Sequence, residues 1–312
     1  MTPTIAFTSL SPADHAEVAA LLHESLVDWY ERRLGQGARF GDSPEPFRLF
    51  PEVYEALDPG EAVTARDPSS GRLLGICFSH ERESHISVGI VSTSPAAAGQ
   101  GLAKKMVSLV LEKARRVGKP TRLVSSLLNL DSFSLYTRLG FVPGQIFQDL
   151  LITVPEVGMP LPAAEADAKI REASAADVPL IADLEESLMG IRRDKDFAFF
   201  LRNDVGSWRV LVAEKAGKVI GFLVVSTHPS FQMVGPGACM DEATAAALLW
   251  RALDSQRGKT MVFLVPCAAA ELVRTAYAWG ARNVELHVAQ STAPRSTVCK
   301  GVSFPTFLPE SA

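Results

Sequence analysis

The residues best placed to do chemistry lie between His85 and Phe141. Gly99-Gln100-Gly101 separates an apolar run (Ile86, Val88, Ile90, Val91), closed by a turn at Pro95, from an amphipathic run with apolar positions at Leu102, Met106, Leu109 and Val110. The pattern predicts a strand, a glycine turn and a helix N-terminus. The first N–H groups of a helix lack intrahelical partners and carry the positive end of its dipole, and glycine lets a bulky anion approach that backbone. The chemistry implied is the holding of a phosphate or pyrophosphate. Lys104 occupies the third position of a G-x-G-x-x-G pattern, and no G-x-x-x-x-G-K-[ST] is present, so the nicotinamide and P-loop fingerprints are both absent.

Several elements must position this turn. Thr4 to Leu10 alternates as a half-buried strand, and Ser11-Pro12-Ala13-Asp14 starts a helix through Val18, Leu21, Leu22 and Leu26. Glu61 to Arg66 and Arg72 to Ser79, joined by Asp67-Pro68-Ser69-Ser70-Gly71, read as a hairpin. After the glycine turn and its helix come a strand at Leu123 to Leu127, a helix from Asn129 through Tyr136, and a closing strand at Gln145 to Val154. His80-Glu81-Arg82-Glu83-Ser84-His85 is the densest run of titratable groups; simple alternation places His85, Ser87, Gly89, Val91 and Thr93 on one strand face.

The whole chain, 312 residues with 47% hydrophobic and 21% charged positions, has the composition of a globular protein long enough for two domains. A net charge of −4 without a long basic run argues against nucleic acid or an anionic membrane as partner. The N-terminus lacks the pattern of a signal peptide, and no run is long enough to span a bilayer, so a cytoplasmic location is expected. Cys77, Cys239, Cys267 and Cys299 form no C-x-x-C pair and read as reduced thiols.

Ala96-Ala97-Ala98-Gly99-Gln100-Gly101 resembles the [Arg/Gln]-x-x-Gly-x-[Gly/Ala] phosphate loop of the GNAT superfamily of acyl-CoA-dependent N-acetyltransferases. The series Asn129, Tyr136, Gly140-Phe141 follows at the distance the family expects. The departure is Ala96, where the family carries Arg or Gln; Lys104 and Lys105 can supply the missing cation. The resemblance implies acetyl-CoA as co-substrate, no metal, and an amine acceptor that the sequence does not identify. It implies that Val91, Ser92 and Thr93 bind the pantetheine arm and thioester through their backbone. Ala98, Gly99, Gln100, Gly101, Leu102, Ala103 and Lys104 hold the pyrophosphate, and Asn129 contacts the arm. Tyr136 faces the sulfur as general acid, since a phenol of pKa about 10 suits protonation of a thiolate. Glu83 and His85 are the candidates for removing the proton of the amine, with a solvated hairpin end as the alternative. Residues 35 to 60 are expected to cover the acceptor, or to be a plain connection. A non-catalytic acyl-CoA-binding or regulatory protein with the same fold is the competing expectation, and a nucleotide-binding domain lacks its acidic ribose partner.

Composition shifts at Pro155 to Pro162 and the alanine-rich stretch to Ala168, and the order of the first half then repeats. Ser174 to Asp177 echoes Ser11 to Asp14, Gly217 to Gly221 echoes Gly71 to Gly75, and Trp279-Gly280-Ala281 echoes Leu139-Gly140-Phe141. The expected organisation is a catalytic domain at 1–155, a linker at 156–168 and a degenerate copy at 169–312. Each domain is α/β, of the α+β kind, with a mixed, mostly antiparallel sheet flanked by helices. Counting from Pro236 as the counterpart of Pro95 puts Met240, Asp241 and Glu242 at the positions of Gly99, Gln100 and Gly101; counting back from Gly280 puts Ala276 at Tyr136, and no equivalent of Asn129 stands out. The copy is expected to shape the acceptor site or the interface of a homodimer. Arg192 and Arg193 read as a solvated helix start, with contact to an acidic acceptor as the alternative, His228 and His287 as strand-end or core histidines without ligand spacing, and the apolar Phe304 to Pro309 as a packed tail.

Overall fold

A computed structural model describes residues 5–162, 167–204, 206–293 and 299–310. Of the expected linker, 163–166 lies outside them. The chain packs into two compact units, one of Met1–Glu81, Ile86–Thr121 and Phe307–Pro309, the other of Arg82–His85, Arg122–Thr306 and Glu310–Ala312.

The first unit carries β1 (Ala6–Ser9), α1 (His15–Leu34), α2 (Leu49–Leu57), β2 (Val63–Arg66), β3 (Leu73–Glu81), β4 (Ile86–Thr93) and α3 (Leu102–Val117). Its strands lie in the order β1-β2-β3-β4, all antiparallel. The Asp14 carboxylate accepts from the Ser11 amide at 2.9 Å and, with Glu17, holds Arg66 of β2 at 2.7 Å, so one side chain both caps the entry to α1 and ties it to the sheet. Much of 35–60 is packed structure: Tyr54 of α2 is buried and stacks on Phe78 and His80, with ring centres 4.1 and 4.6 Å away.

The second unit carries β5 (Thr121–Ser126, whose first residue counts with the first unit), α4 (Leu130–Arg138), β6 (Val142–Thr153), β7 (Lys169–Glu172), α5 (Val178–Met189) and α6 (Asp194–Arg202). They are followed by β8 (Trp208–Lys215), β9 (Lys218–Ser226), β10 (Met233–Cys239), α7 (Glu242–Asp254), β11 (Thr260–Pro266), α8 (Ala270–Ala278), β12 (Arg282–Ser291) and β13 (Val302–Phe304). The strand order is β5-β12-β6-β11-β10-β9-β8-β7, with β13 on β10. Among the described residues of this unit, β10 pairs with β11 in parallel and the other ladders named here are antiparallel. Leu248, Leu249, Phe263 and Val265 anchor a core between α7 and the sheet.

The series β7-α5-α6-β8-β9-β10-α7-β11-α8-β12 retraces β1-α1-α2-β2-β3-β4-α3-β5-α4-β6, down to the Ser174 amide on Asp177 at 2.7 Å. The last strand of each half is exchanged. β12 of the second half lies between β5 and β6 of the first, and β6 lies between β12 and β11. The fold is mixed α/β around mostly antiparallel sheet. Among the described residues no helix is long and apolar enough to cross a membrane.

Candidate active site

The strand, turn and helix expected around Gly99 are present. Strand β4 carries one residue more than β3 between the pairs Val88↔Ser79 and Val91↔Cys77, a bulge at Gly89–Ile90. A bulge re-aims the backbone beyond it, here that of Val91, Ser92 and Thr93. It also breaks the expected alternation: Val91 falls on the face of Val88, opposite Ser87, so the face that would have joined His85 to Val91 and Thr93 does not exist.

Gly99 and Gly101 adopt φ of +77° and +71°, and a Cβ at either would meet nothing within 4 Å. Glycine is needed here for its left-handed backbone, and the space in front of the turn is open. Gly101 is the N-cap of α3, no side chain caps it and no acid stands in the first turn. The early amides around Leu102, Ala103 and Lys104 are thus left to an outside acceptor. Ala96, Ala98, Lys104 and Lys105 are exposed, while Ala97 and Leu102 are buried and hold the turn to the body.

Asn129 is the N-cap of α4, its Oδ1 accepting from the Ser132 amide at 3.0 Å. Its carbonyl end therefore serves the helix, and its –NH2 end is the part left to donate elsewhere. Tyr136 is buried, its ring edge-on to Phe141 at 5.8 Å, and the Phe141 amide donates to its carbonyl at 3.1 Å. Glu83 is exposed and His85 buried in the turn joining β3 to β4. That turn is fastened within the second unit: Arg82 pairs with buried Asp196 at 2.6 Å, Ser84 Oγ accepts from the Arg192 amide at 2.7 Å, and His85 Nδ1 lies 3.0 Å from Ser84 Oγ. Arg193, read from sequence as part of a solvated helix start, is buried and pairs with buried Glu185, whose carboxyl is pushed up by burial.

The second copy differs more deeply than by substitution. Residues 94–101 separate β4 from α3, but only residues 240 and 241 separate β10 from α7, so the phosphate loop is missing altogether. Pro236, expected at the turn, lies inside β10 at a bulge between Val234 and Gly237 that matches the bulge of β4. Asp241 caps α7 by accepting from the Thr244 amide at 2.8 Å, and Glu242 accepts from the Leu272 amide at 2.8 Å. Asp241 thus occupies an amide of α7 that an anion would need, while Glu242 reaches across to α8. The equivalent of Asn129 is Ala269, an N-cap at φ −81°, ψ 72° against −89°, 78°. Ala276 matches Tyr136, since the Ala281 amide donates to its carbonyl at 3.0 Å. β10 pairs with β11 only at Met233 and Val234; its Gly237–Cys239 edge is taken by β13. A cavity of about 840 Å³ lies beside this end of the copy, between Met240–Glu242, Ala268, Ala269, the start of β6 and the end of β12.

Sequence reading missed one group. Glu285 and His287 of β12 and Asp149 of β6 are buried together, offering ligand atoms within 4.8 Å of one another. Asp149 Oδ2 lies 3.7 Å from His287 Nδ1, and Glu285 Oε1 lies 4.0 Å from Nε2. Burial pushes the His287 imidazole below its ordinary value, against the pull of the Glu285 carboxylate. Two titratable residues at i and i+2, set among the apolar Val284, Leu286, Val288 and Ala289, were the available signal.

Residues 20–141 match the family model described as Acetyltransferase (GNAT) family. A search of curated proteins gives no match. Among solved structures the chain is similar to a proposed acetyltransferase from Pyrococcus horikoshii (14% identity, 95% of this chain and 91% of that one, TM-score 0.71). It is also similar to a tandem GNAT protein from the clavulanic acid biosynthesis pathway (13%, 94% and 100%, 0.59). A third is N-myristoyltransferase from Saccharomyces cerevisiae with bound myristoyl-CoA (11%, 95% and 80%, 0.59). Residues 20–141 thus match the GNAT acetyltransferase family, and the fold of the whole chain is similar to that of GNAT proteins with two domains in tandem.

Proposed function

We propose that the chain moves an acetyl group from acetyl-CoA to a primary amine by direct attack, with one active site that belongs to the domain at 1–155 and a non-catalytic copy at 169–312, in the cytoplasm. The observation that carries this reading is the open glycine turn at the uncapped N-terminus of α3, set directly behind a bulged strand. In this reading the amides of Ala98 to Lys104 hold the pyrophosphate and Lys104 adds a cation. The backbone of Val91 to Thr93 receives the pantetheine arm and the thioester carbonyl, where an N–H stabilises the oxyanion as it forms. Asn129 holds the arm, and Tyr136 protonates the departing thiolate. Ala96 favours the second reading, a protein that binds acyl-CoA without turnover, because the loop lacks the side chain that would add to its amides.

Calorimetric titration of acetyl-CoA into the wild type and Gly99→Glu, followed by thiol release against a panel of primary amines, separates the two. Binding of one acetyl-CoA per chain, abolished by Gly99→Glu, together with release for at least one amine, is the expected result. Binding without release for any amine selects the second reading.

A further inference from the structure

We propose that the cavity of about 840 Å³ in the second unit is a binding site for a small apolar carboxylate, held at its charged end by Arg122 and independent of the acyl transfer proposed above. Every residue lining it lies between Arg122 and Pro305, within that unit. The space lies beyond the ends of β10 and β11, yet nothing that holds a coenzyme comes with it. The phosphate loop is missing, β13 takes the Gly237–Cys239 edge of β10, and Asp241 caps α7. A pyrophosphate has no place there, whereas an apolar body does: Val142, Phe147, Met189, Pro266, Ala289 and Val302 are among the walls.

One wall is cationic. Arg122 pairs with Ser291 across β5 and β12, and both line the cavity. Met189 lines it too, one turn beyond Glu185 on α5. Behind that wall Glu185 is fully buried and accepts from Arg193 Nε and Nη2 at 2.9 and 2.6 Å, while Asp196 holds Arg82 at 2.6 Å. Arg193 Nη1 is buried 4.0 Å from Asp196 Oδ2, without a hydrogen bond among the described residues. Burial pushes the Arg122 guanidinium down, the Glu185 carboxylate pulls it up, and the neighbouring Arg193 pushes it down again. In this group three guanidiniums face two carboxylates that are already engaged. A guanidinium carries five N–H donors in a fork that one partner does not exhaust. An incoming carboxylate meets that fork in two parallel hydrogen bonds and adds a third negative charge to the group.

The far end does not reverse this preference. Asp241 and Glu242 also line the cavity, but each already accepts a backbone amide near a helix N-terminus, which offsets its charge. Asp241 is exposed as well, where an ion pair is weakened by water and salt. Three strands, β12, β6 and β11, stand between β5 and β10 in the sheet, so these carboxylates are set apart from the head of a ligand bound at Arg122. The Cys299 thiol on the wall is pushed up by burial and stays neutral, so it adds no negative charge of its own.

The test is calorimetric titration of the full-length protein with three probes that share one apolar body, octanoate, octanol and octylammonium, each below its micellar concentration. Octanoate is expected to bind at one site per chain, about tenfold or more tighter than either of the others. Arg122→Gln should weaken octanoate by about tenfold or more, and Arg122→Lys, which keeps the charge without the fork, should lie between. Met189→Trp fills the space and should remove octanoate binding, with a thermal melt to show that the variant is folded. Gly99→Glu should bind octanoate as the wild type does. Loss of binding in Gly99→Glu, or displacement of octanoate by acetyl-CoA, places the probe at the glycine turn and overturns the site. So do equal affinity for all three probes, tighter binding of octylammonium, unchanged affinity in Arg122→Gln, or no saturable binding of octanoate. Should Arg122→Gln fail to fold, the ranking of the three probes and Met189→Trp decide. If acetyl-CoA does not bind while octanoate follows Arg122, the acyl-transfer reading falls and this site stands.

Discussion

The places of Asn129 and Tyr136 in the fold were legible because they rest on local spacing. The helix cap, the buried tyrosine one helix later and the Gly-Phe turn after it are fixed within residues 129–141, and the same backbone returns at 269–281 with alanine at both chemical positions. A cap can lose its side chain and a buried ring can shrink to a methyl without disturbing the path of the chain. On the proposed reading, the copy can lack that chemistry and keep the same backbone. Tyr136→Phe keeps the ring against Phe141 and removes only the hydroxyl, so kcat should fall by about 100-fold or more, with the calorimetric dissociation constant for acetyl-CoA unchanged. Unchanged turnover would remove Tyr136 from the role of acid. His287 was not legible, because its partner Asp149 sits far away in sequence and no spacing rule joins them.

At the scale of elements, sequence pattern located the hairpin, the helix after the glycine turn and the repeated capping motif, since each rests on local periodicity or capping. It failed at bulges. One extra residue in β4 reverses which face carries Val91, and Pro236 looked like a turn because a proline inside a bulged strand has no separate signature. The repeated cap is open to a direct test. Asp177 is held down to about 2 by the Arg171 guanidinium and the Ser174 amide, so it stabilises the fold fully above its unfolded value of 3.8, and that contribution is lost as pH falls through 2. Arg171→Ala should cost about 2 kcal/mol in urea unfolding at pH 7. The gap between variant and wild type should narrow steadily as unfolding is repeated toward pH 2.

The halves of the whole molecule repeat, but they are not separable parts. Exchange of the last strands means that β5 and β6 of the first half are joined through β12 of the second. A chain cut after residue 155 would leave long apolar strand edges unpaired, so it should appear as aggregate or as a molten species by near-ultraviolet circular dichroism and hydrogen exchange. A sharp cooperative melt of that fragment would count against the exchange. No local pattern could have announced this, because a swapped strand has the same sequence signature as one paired at home.

The strand β13 has a further consequence. It lies along the edge of β10 that corresponds, in the first half, to the edge assigned to the pantetheine arm. A segment tethered to the same chain competes as though present at roughly millimolar concentration. Any free thioester seeking that edge would have to outbid a rival that never diffuses away. The second half should therefore be indifferent to the supply of coenzyme, leaving the first as the chain's one point of sensitivity to it.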